Sequence, residues 1–393
     1  MREMFDYIVI GAGMMGSAAA RHLSLAGASV ALVGLREPVD AAGHIGPFAS
    51  HHDAARITRK LDRNGDWSKL SARSIARYRV LEAETGIRFF HETGAIMVAS
   101  PRHGVPGVGP ALRAVDRAER VGAAMLDGCA ARGLFPFFAF EDGALVAHEA
   151  QDAGYINPRA LVRAEIASAV ARGAVWIDGA VAEIAGGSVR LTDGRQVEGG
   201  AVVLAAGAYS GLSGLIAVQP RLEVFARTIL FAEIDEAESA RLRDMPSVVA
   251  FPQGTNRDVY VLPPVTYPDG RTYLKIGGDP VDVALSSPEA VNTWFRTEGS
   301  ASVGAGLLET LRAMMPGLRV RAHHTGACVT AFTSTGLPMI YRADASTVVL
   351  TGGNGAGAKC ADEIGRLGAI VAMGGSLAEE GYAGDFGPGP ESV

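Results

Sequence analysis

Three glycine-rich turns, each directly after a short apolar run, carry the most legible chemistry in this chain. Gly11-Ala12-Gly13-Met14-Met15-Gly16 follows Tyr7-Ile8-Val9-Ile10. Between a strand and a helix this spacing suits the pyrophosphate of a dinucleotide. Gly11 permits the tight turn, Gly13 lets the backbone approach the phosphates, and Gly16 lets the helix pack closely on the strand. The helix N-terminus then turns its unpaired N–H groups and the positive end of its dipole toward the anion. A second turn, Ala205-Ala206-Gly207-Ala208-Tyr209-Ser210, follows Ala201-Val202-Val203-Leu204. The third, Thr351-Gly352-Gly353-Asn354-Gly355-Ala356-Gly357, follows Val348-Val349-Leu350 and opens a helical stretch from about Ala358. Its N–H groups suit an anion or the electron-rich end of a ring system. Lys359, just inside that helix, sits at the wrong end of the helix dipole and requires an anion nearby.

The elements that must position these turns follow from periodicity. Asp6–Ile10 reads as a buried strand, Ser17–Ala26 as a helix closed by Gly27, and Val30–Val33 as a second strand, which together make a βαβ unit. The acidic residue that commonly ends the second strand and holds a ribose is Gly34 here, with Glu37 and Asp40 as nearby substitutes. Glycine turns at both ends of the chain imply a discontinuous α/β, Rossmann-like nucleotide domain from residues 1–80, 151–215 and 321–393. Residues 81–150 and 216–320 would form a second, α+β domain. Its alternating runs, Asp258-Val259-Tyr260-Val261-Leu262 and Thr272-Tyr273-Leu274-Lys275-Ile276, flank Pro-Asp-Gly and predict mostly antiparallel sheet.

Composition excludes several classes. The chain has 393 residues, 48% of them hydrophobic, enough for a large core, and its net charge of −6 argues against a nucleic-acid partner. No apolar run reaches a membrane span of about 18 residues, and Tyr7–Ile10 is too short for a signal peptide. Cys129, Cys328 and Cys360 make no disulfide framework and fit the cytoplasm. No His/Cys/Asp/Glu cluster has metal-ligand spacing, so no metal is expected.

Four further segments, in order along the chain, carry a resemblance. His52-Asp53-Ala54-Ala55-Arg56-Ile57-Thr58-Arg59 resembles H-G-D-T-R-I-I-R, and Tyr273-Leu274-Lys275-Ile276-Gly277 resembles G-L-K-L-G. Gly326-Ala327-Cys328-Val329-Thr330 resembles T-C-M-Y-T, and Gly352–Lys359 resembles G-F-S-G-H-G-F-K. These are motifs of the monomeric sarcosine oxidase and N-methyltryptophan oxidase family, flavoenzymes of the D-amino-acid-oxidase-like fold. The resemblance implies FAD, bonded covalently through Cys328. It implies that Arg59 and Lys359 grip the substrate carboxylate, that Lys275 lies near flavin N5 and promotes reaction with oxygen, and that Tyr260 is an active-site tyrosine. His52 and Arg56 would border the flavin, their positive charge raising its potential.

With them the cofactor would touch Gly11, Ala12, Gly13, Met15, Gly16, Ser50, His51, Ile57, Val181, Ala206, Gly207, Gly352, Gly353, Asn354, Gly355, Gly357 and Lys359. By type alone His51, like His323 and His324, reads as a structural or surface histidine. Thr330 replaces a family aromatic, and Asp279 replaces a histidine. Asp279 would face a cationic substrate group, Lys275 or an arginine. The implied reaction oxidises a small carboxylate-bearing amine at C–N to an imine, with oxygen reduced to hydrogen peroxide. Alternatives are a dehydrogenase with another acceptor and a non-catalytic FAD-binding subunit. A nicotinamide enzyme fits less well, given Cys328 and the C-terminal turn. The expected assembly is a monomer or small homo-oligomer.

Overall fold

A computed structural model describes residues 4–100, 106–250 and 258–389. The strand Met4–Ile10 runs through the middle of an eight-stranded sheet, with Val30–Val33 parallel on one side and Gln196–Leu204 parallel on the other. Val175–Ile177 and Thr347–Thr351 extend the parallel set, and Met339–Arg342 adds an antiparallel edge. Val30–Val33 and the buried ends Ile8–Ile10 and Val202–Leu204 of its neighbours are wholly apolar because both faces are covered. Val9, Leu32, Val203 and Leu350 pack under helices, while Ile8, Val33, Val202 and Leu204 pack with the hairpin of Val181–Ala185 and Ser188–Leu191.

The first helix spans Met14–Leu25, three residues ahead of the expected start. The glycine turn itself winds into its first turn, since Ser17 N already donates to Gly13 O at 2.9 Å. This helix is wedged between Pro158–Val170 and Gly357–Ala372. A Cβ at Gly365 would lie 2.4 Å from Ala18 Cβ, so the last helix reaches the first only through small residues.

Among the described residues the second sheet has nine strands and is mostly antiparallel. Glu223–Ile234 pairs with Thr272–Gly277, which pairs in turn with Val259–Thr266. Ala322–Phe332 runs along the whole of Glu223–Ile234, from Phe332 opposite Glu223 to Ala322 opposite Glu233. This corrects the segment 321–393, whose first strand completes the second sheet rather than the nucleotide sheet. The helix Gly65–Thr85 likewise runs through the boundary expected at residue 80. Strand alternation gives the second sheet two faces. Leu230, Ala232, Val261, Leu274 and Ile276 pack into its core. Phe225, Arg227, Tyr260, Cys328 and Thr330, at the opposite parity, line a cavity. Among the described residues no helix is long and apolar enough to cross a membrane, and no group of three His, Cys, Asp or Glu could hold a metal ion.

Candidate active site

The cavity has a volume of about 1680 Å³ and draws its walls from both sheets. That exceeds the roughly 300–1000 Å³ of a drug-sized pocket and suits a dinucleotide with a small molecule beside it. All three glycine turns reach it. Of the helices that start on it, those at Met14 and Gly357 have neither a side-chain cap nor an acidic residue in the first turn, whereas the one at Pro288 has both. The helices that begin at Gly65, Gly128, Pro158, Glu236, Pro288 and Ala301 carry side-chain caps, and the one at Val108, away from the cavity, does not. At Met14 and Gly357 the uncapped N–H groups open on the cavity, as an anionic cofactor requires.

The glycines divide by role. A Cβ at Gly16 would lie 1.9 Å from Gly11 O, and one at Gly11 (φ 107°) would lie 2.4 Å from Ala205 O. Both are needed for the turn to exist. A Cβ at Gly13 would meet only His51 Nδ1, at 3.9 Å, so Gly13 keeps open a space that the protein leaves unfilled. His52 Nε2, Arg59 Nε, Ser213 Oγ and Thr330 Oγ1, all on lining residues, are buried without a protein partner. An uncapped cradle with orphaned polar atoms fits FAD.

At the other end, Gly34, Leu35 and Val181 line the cavity. A Cβ on Gly34 would sit 2.4 Å from Ala12 N, so no acidic side chain fits there. The proposed substitutes do not replace it. Glu37 is gripped through both oxygens by Arg159, at 2.7 and 2.9 Å, and Asp40 accepts from Ala42 N. The strand-end carboxylate is simply missing from this site.

Every expected cofactor residue lines the cavity except Gly16, which packs behind Gly11. The charge pattern differs from expectation. Burial, then His52, pushes His51 down to about 3, and burial lowers His52 as well. Both rings are neutral near pH 7, so the positive charge on this wall belongs to Arg56. Its guanidinium donates to Ser50 O at 3.0 Å, pairs with Asp53, and lies 3.7 Å from Cys328 Sγ. Cys328 is a free, half-buried thiol. Tyr260 stands nearby, its hydroxyl pushed up to about 12 by burial. The strand opposite makes room for it, since a Cβ on Gly277 would fall 2.4 Å from its ring.

Arg59, Lys359 and Tyr260 reach the cavity, and Lys275 does not. Lys275 has the cavity-side parity but is 1% exposed, with the turn before Arg56 laid over it. Its ammonium donates to Asp53 Oδ2 at 2.6 Å and to Ala55 O. Burial, then Arg56, pushes its pKa well below the ordinary lysine value, even though the Asp53 carboxylate lies 2.6 Å away.

Arg59 and Lys359 meet as expected but are not free. Both donate to Asp62 Oδ2, at 3.1 and 3.0 Å. Burial would raise the Asp62 pKa, but Lys359 and Arg59 outweigh it and hold the carboxyl well below the usual range. Asp62 is thus the anion that Lys359 needs at a helix N-terminus. The turn is clamped from below by Glu149, which accepts from Lys60 N at 2.9 Å and Leu61 N at 3.0 Å.

Sequence reasoning missed Asp53, Asp62 and Arg227. Asp53 and Asp62 each stand three residues from an arginine already singled out, and this nearness of opposite charges was the available signal. Arg227 is buried on the cavity wall, paired with Asp282 at 2.7 Å and lying 5.0 Å from the Phe225 ring centre. Asp279 lines the cavity and acts electrostatically on Arg227, the arginine alternative, without a direct ion pair. Its oxygens accept from the backbone of Thr228 and Val281, each at 2.9 Å.

The chain is similar over its whole length to the open form of NikD, an amino acid oxidase essential for nikkomycin biosynthesis. The TM-score is 0.74 at 21% identity, covering 100% of this chain and 99% of that one, which establishes the fold. It is 33% identical over 175 residues to the monomeric sarcosine oxidase of Streptomyces avermitilis, covering 44% of this chain and 43% of that protein. It is 30% identical over 224 residues to the oxidoreductase YurR of Bacillus subtilis, covering 53% and 56%. The matched part thus spans about half the length of these relatives. The profile of the DAO family, described as FAD dependent oxidoreductase, matches residues 6–369, and the chain belongs to that family.

Proposed function

We propose that this FAD-dependent oxidoreductase oxidises the C–N bond of a small amino acid, or of an N-alkyl or cyclic amino acid, with oxygen as acceptor. The observation that carries the reading is the meeting of Arg59 and Lys359, from opposite ends of the chain, on the wall of the cofactor cavity. Bound FAD would supply the hydride-accepting centre. Arg59 and Lys359 hold the substrate carboxylate, one as a planar fork with an unpartnered Nε, the other as a point charge. That grip fixes where the reacting carbon lies, and positioning supplies much of the rate. The same cations, with Arg56, disfavour a substrate ammonium and keep the amine neutral, as oxidation requires. Asp62 cancels one of the two charges at rest, so an incoming carboxylate shares or displaces it.

Cys328 would bond to the flavin, supported by its place as a free thiol on the wall beside Arg56. Lys275 would act at the oxygen step through its charge. A reducing, cytoplasmic setting agrees with three free cysteines. The test is oxygen uptake and peroxide release on a panel of N-methyl, cyclic and primary amino acids, compared with the same amines lacking the carboxylate. Equal rates on the decarboxylated amines would sink the carboxylate reading. Yellow colour in the acid-precipitated pellet is expected for the covalent link, and yellow in the supernatant removes it.

One observation favours a second reading, a dehydrogenase. The charge of Lys275 is already matched by Asp53 and lies behind the cavity wall. Flavin reduced by an amino acid but reoxidised only by a quinone or dye would select it.

A further inference from the structure

Asp53 collects more hydrogen bonds than any expected role explains. Its carboxylate is buried and accepts from Lys275 Nζ at 2.6 Å, Tyr267 Oη at 3.0 Å and Ala54 N at 2.7 Å, and also from Arg56. Two cations from different sheets thus converge on one anion. Arg56 belongs to the three-residue strand Arg56–Thr58, and Lys275 to the long strand Thr272–Gly277. Of this group only Arg56 lines the cavity, where it reaches Cys328. The Ala55 carbonyl on Lys275 closes the arrangement.

A lysine buried this deeply loses its proton unless an anion compensates. The groups around Lys275 are Asp53 from the overlying turn, Arg56 at the start of the strand after it, Tyr260 from Val259–Thr266 and Tyr267 just beyond it. Cys328 on Ala322–Phe332 and Arg159 on Pro158–Val170 complete the set. Asp53 is the carboxylate bonded to it. We propose that Asp53 is a positioning residue that keeps Lys275 protonated and holds Arg56 against Cys328, so that it sets the charge on the wall behind the flavin. The proposal rests on the reading of Lys275 as the residue of the oxygen step.

The protein is tested as the FAD-loaded enzyme. Asp53→Asn keeps shape and removes charge. Two pH profiles are read: stopped-flow reoxidation of the reduced flavin, and the visible band of the oxidised flavin without turnover. Asp53→Asn is expected to move the basic limb of both profiles acidward by at least one pH unit, a loss of about tenfold in protonated Lys275 at a pH on that limb. Asp53→Glu, which retains the charge, is expected to restore both limbs. In a Lys275→Met background the Asp53→Asn shift is expected to vanish, because the two act as one unit.

Unchanged limbs in Asp53→Asn overturn the proposal, and so does a shift of the same size in the Lys275→Met background. Should Asp53→Asn not accumulate as folded protein, Tyr267→Phe serves. It removes a donor from Asp53, leaves more of the carboxylate's charge for Lys275, and is expected to move both limbs to higher pH. Limbs that stay in place in that variant overturn the proposal equally. Reoxidation unaffected by Lys275→Met removes the oxygen role alone. The spectral titration then still reads the hold of Asp53 on Lys275.

Discussion

The cofactor cradle and the carboxylate end of the cavity are built on different principles. The cradle is backbone. Gly11 and Gly16 shape the turn, Gly11 N donating to Val33 O at 2.8 Å, while Gly13 and the uncapped helix starts at Met14 and Gly357 leave backbone open to the cavity. The carboxylate end is side chain, and its cations are already claimed, Arg59 and Lys359 by Asp62 and, deeper in, Lys275 and Arg56 by Asp53. Backbone donors in a turn are held whether or not a ligand is present. Buried cations must be compensated at rest, so the protein brings its own anions and the ligand competes with them.

The sharpest break in that comparison lies within the glycine turn. Gly16→Ala places a methyl 1.9 Å from Gly11 O, a backbone clash at the top of the overpacking range, about 3 kcal/mol. The expected outcome is no FAD-containing protein. Gly13→Ala, whose Cβ has 3.9 Å of clearance, is expected to fold normally and bind FAD at least about tenfold more weakly. Melting curves and FAD titrations of the two variants separate a glycine required by the chain from one required by the ligand. Equal melting temperatures would refute that division.

At the carboxylate end the next largest effect is expected from Asp62→Asn. It leaves two buried cations without their anion, at a cost of about 3 kcal/mol in the ligand-free protein. It should also tighten a carboxylate inhibitor by about tenfold, since the ligand no longer competes with Asp62. Stability falling while inhibitor affinity rises is the signature of an internal occupant, and affinity falling with stability would assign Asp62 a purely structural role. The pH sign is fixed by the lowered pKa. The Asp62 contribution is fully present above the unfolded carboxyl value near 4 and is lost as pH falls through the folded one.

These contrasts also explain what was legible in the sequence. The cradle was legible because its signal is local: strand, spaced glycines and helix lie within one short segment. Arg59, Lys359 and Tyr260 were placed on the cavity by segment resemblance, and the structure puts them there. The pairing of the two lysines was not legible, because their partners are remote. Lys275 and Asp53 are 222 positions apart, and Lys359 and Asp62 are 297 apart. Gly34 shows the converse. It read as a missing acid, and only the fold reveals that Ala12 N occupies the space a side chain would need. Ala322–Phe332 was misassigned for a similar reason, since pairing partners, not strand propensity, decide which sheet a strand joins.

The histidines sharpen the comparison through acid stability. His51 takes a proton near pH 6.5 when unfolded but only near 3 when folded. A lowered histidine pKa means that the unfolded chain binds the proton first. Stability attributable to this residue is therefore intact above about 6.5 and falls by about 1.4 kcal/mol per pH unit below that. His51→Gln should flatten the fall between pH 6.5 and 4 in denaturant titrations, before the carboxylates contribute. An unchanged slope would mean that His51 titrates alike in the folded and unfolded chain.

The smallest expected effect tests whether orphaned polar atoms belong to the ligand. Thr330 Oγ1 is buried on the cavity wall with no protein partner, at a position where the resembling family has an aromatic. A buried hydroxyl without a partner costs free energy, so Thr330→Val, nearly the same shape, should stabilise the ligand-free protein by about 1 kcal/mol. If the hydroxyl exists to bond the substrate, the same change should raise KM a few-fold with kcat little altered, because the contact is made equally in ground and transition states. The two readouts move in opposite directions only if the unpaired hydroxyl is kept for recognition. A stability gain with unchanged KM would place Thr330 beyond the substrate's reach, and the substrate would then end short of the wall formed by the Cys328 strand.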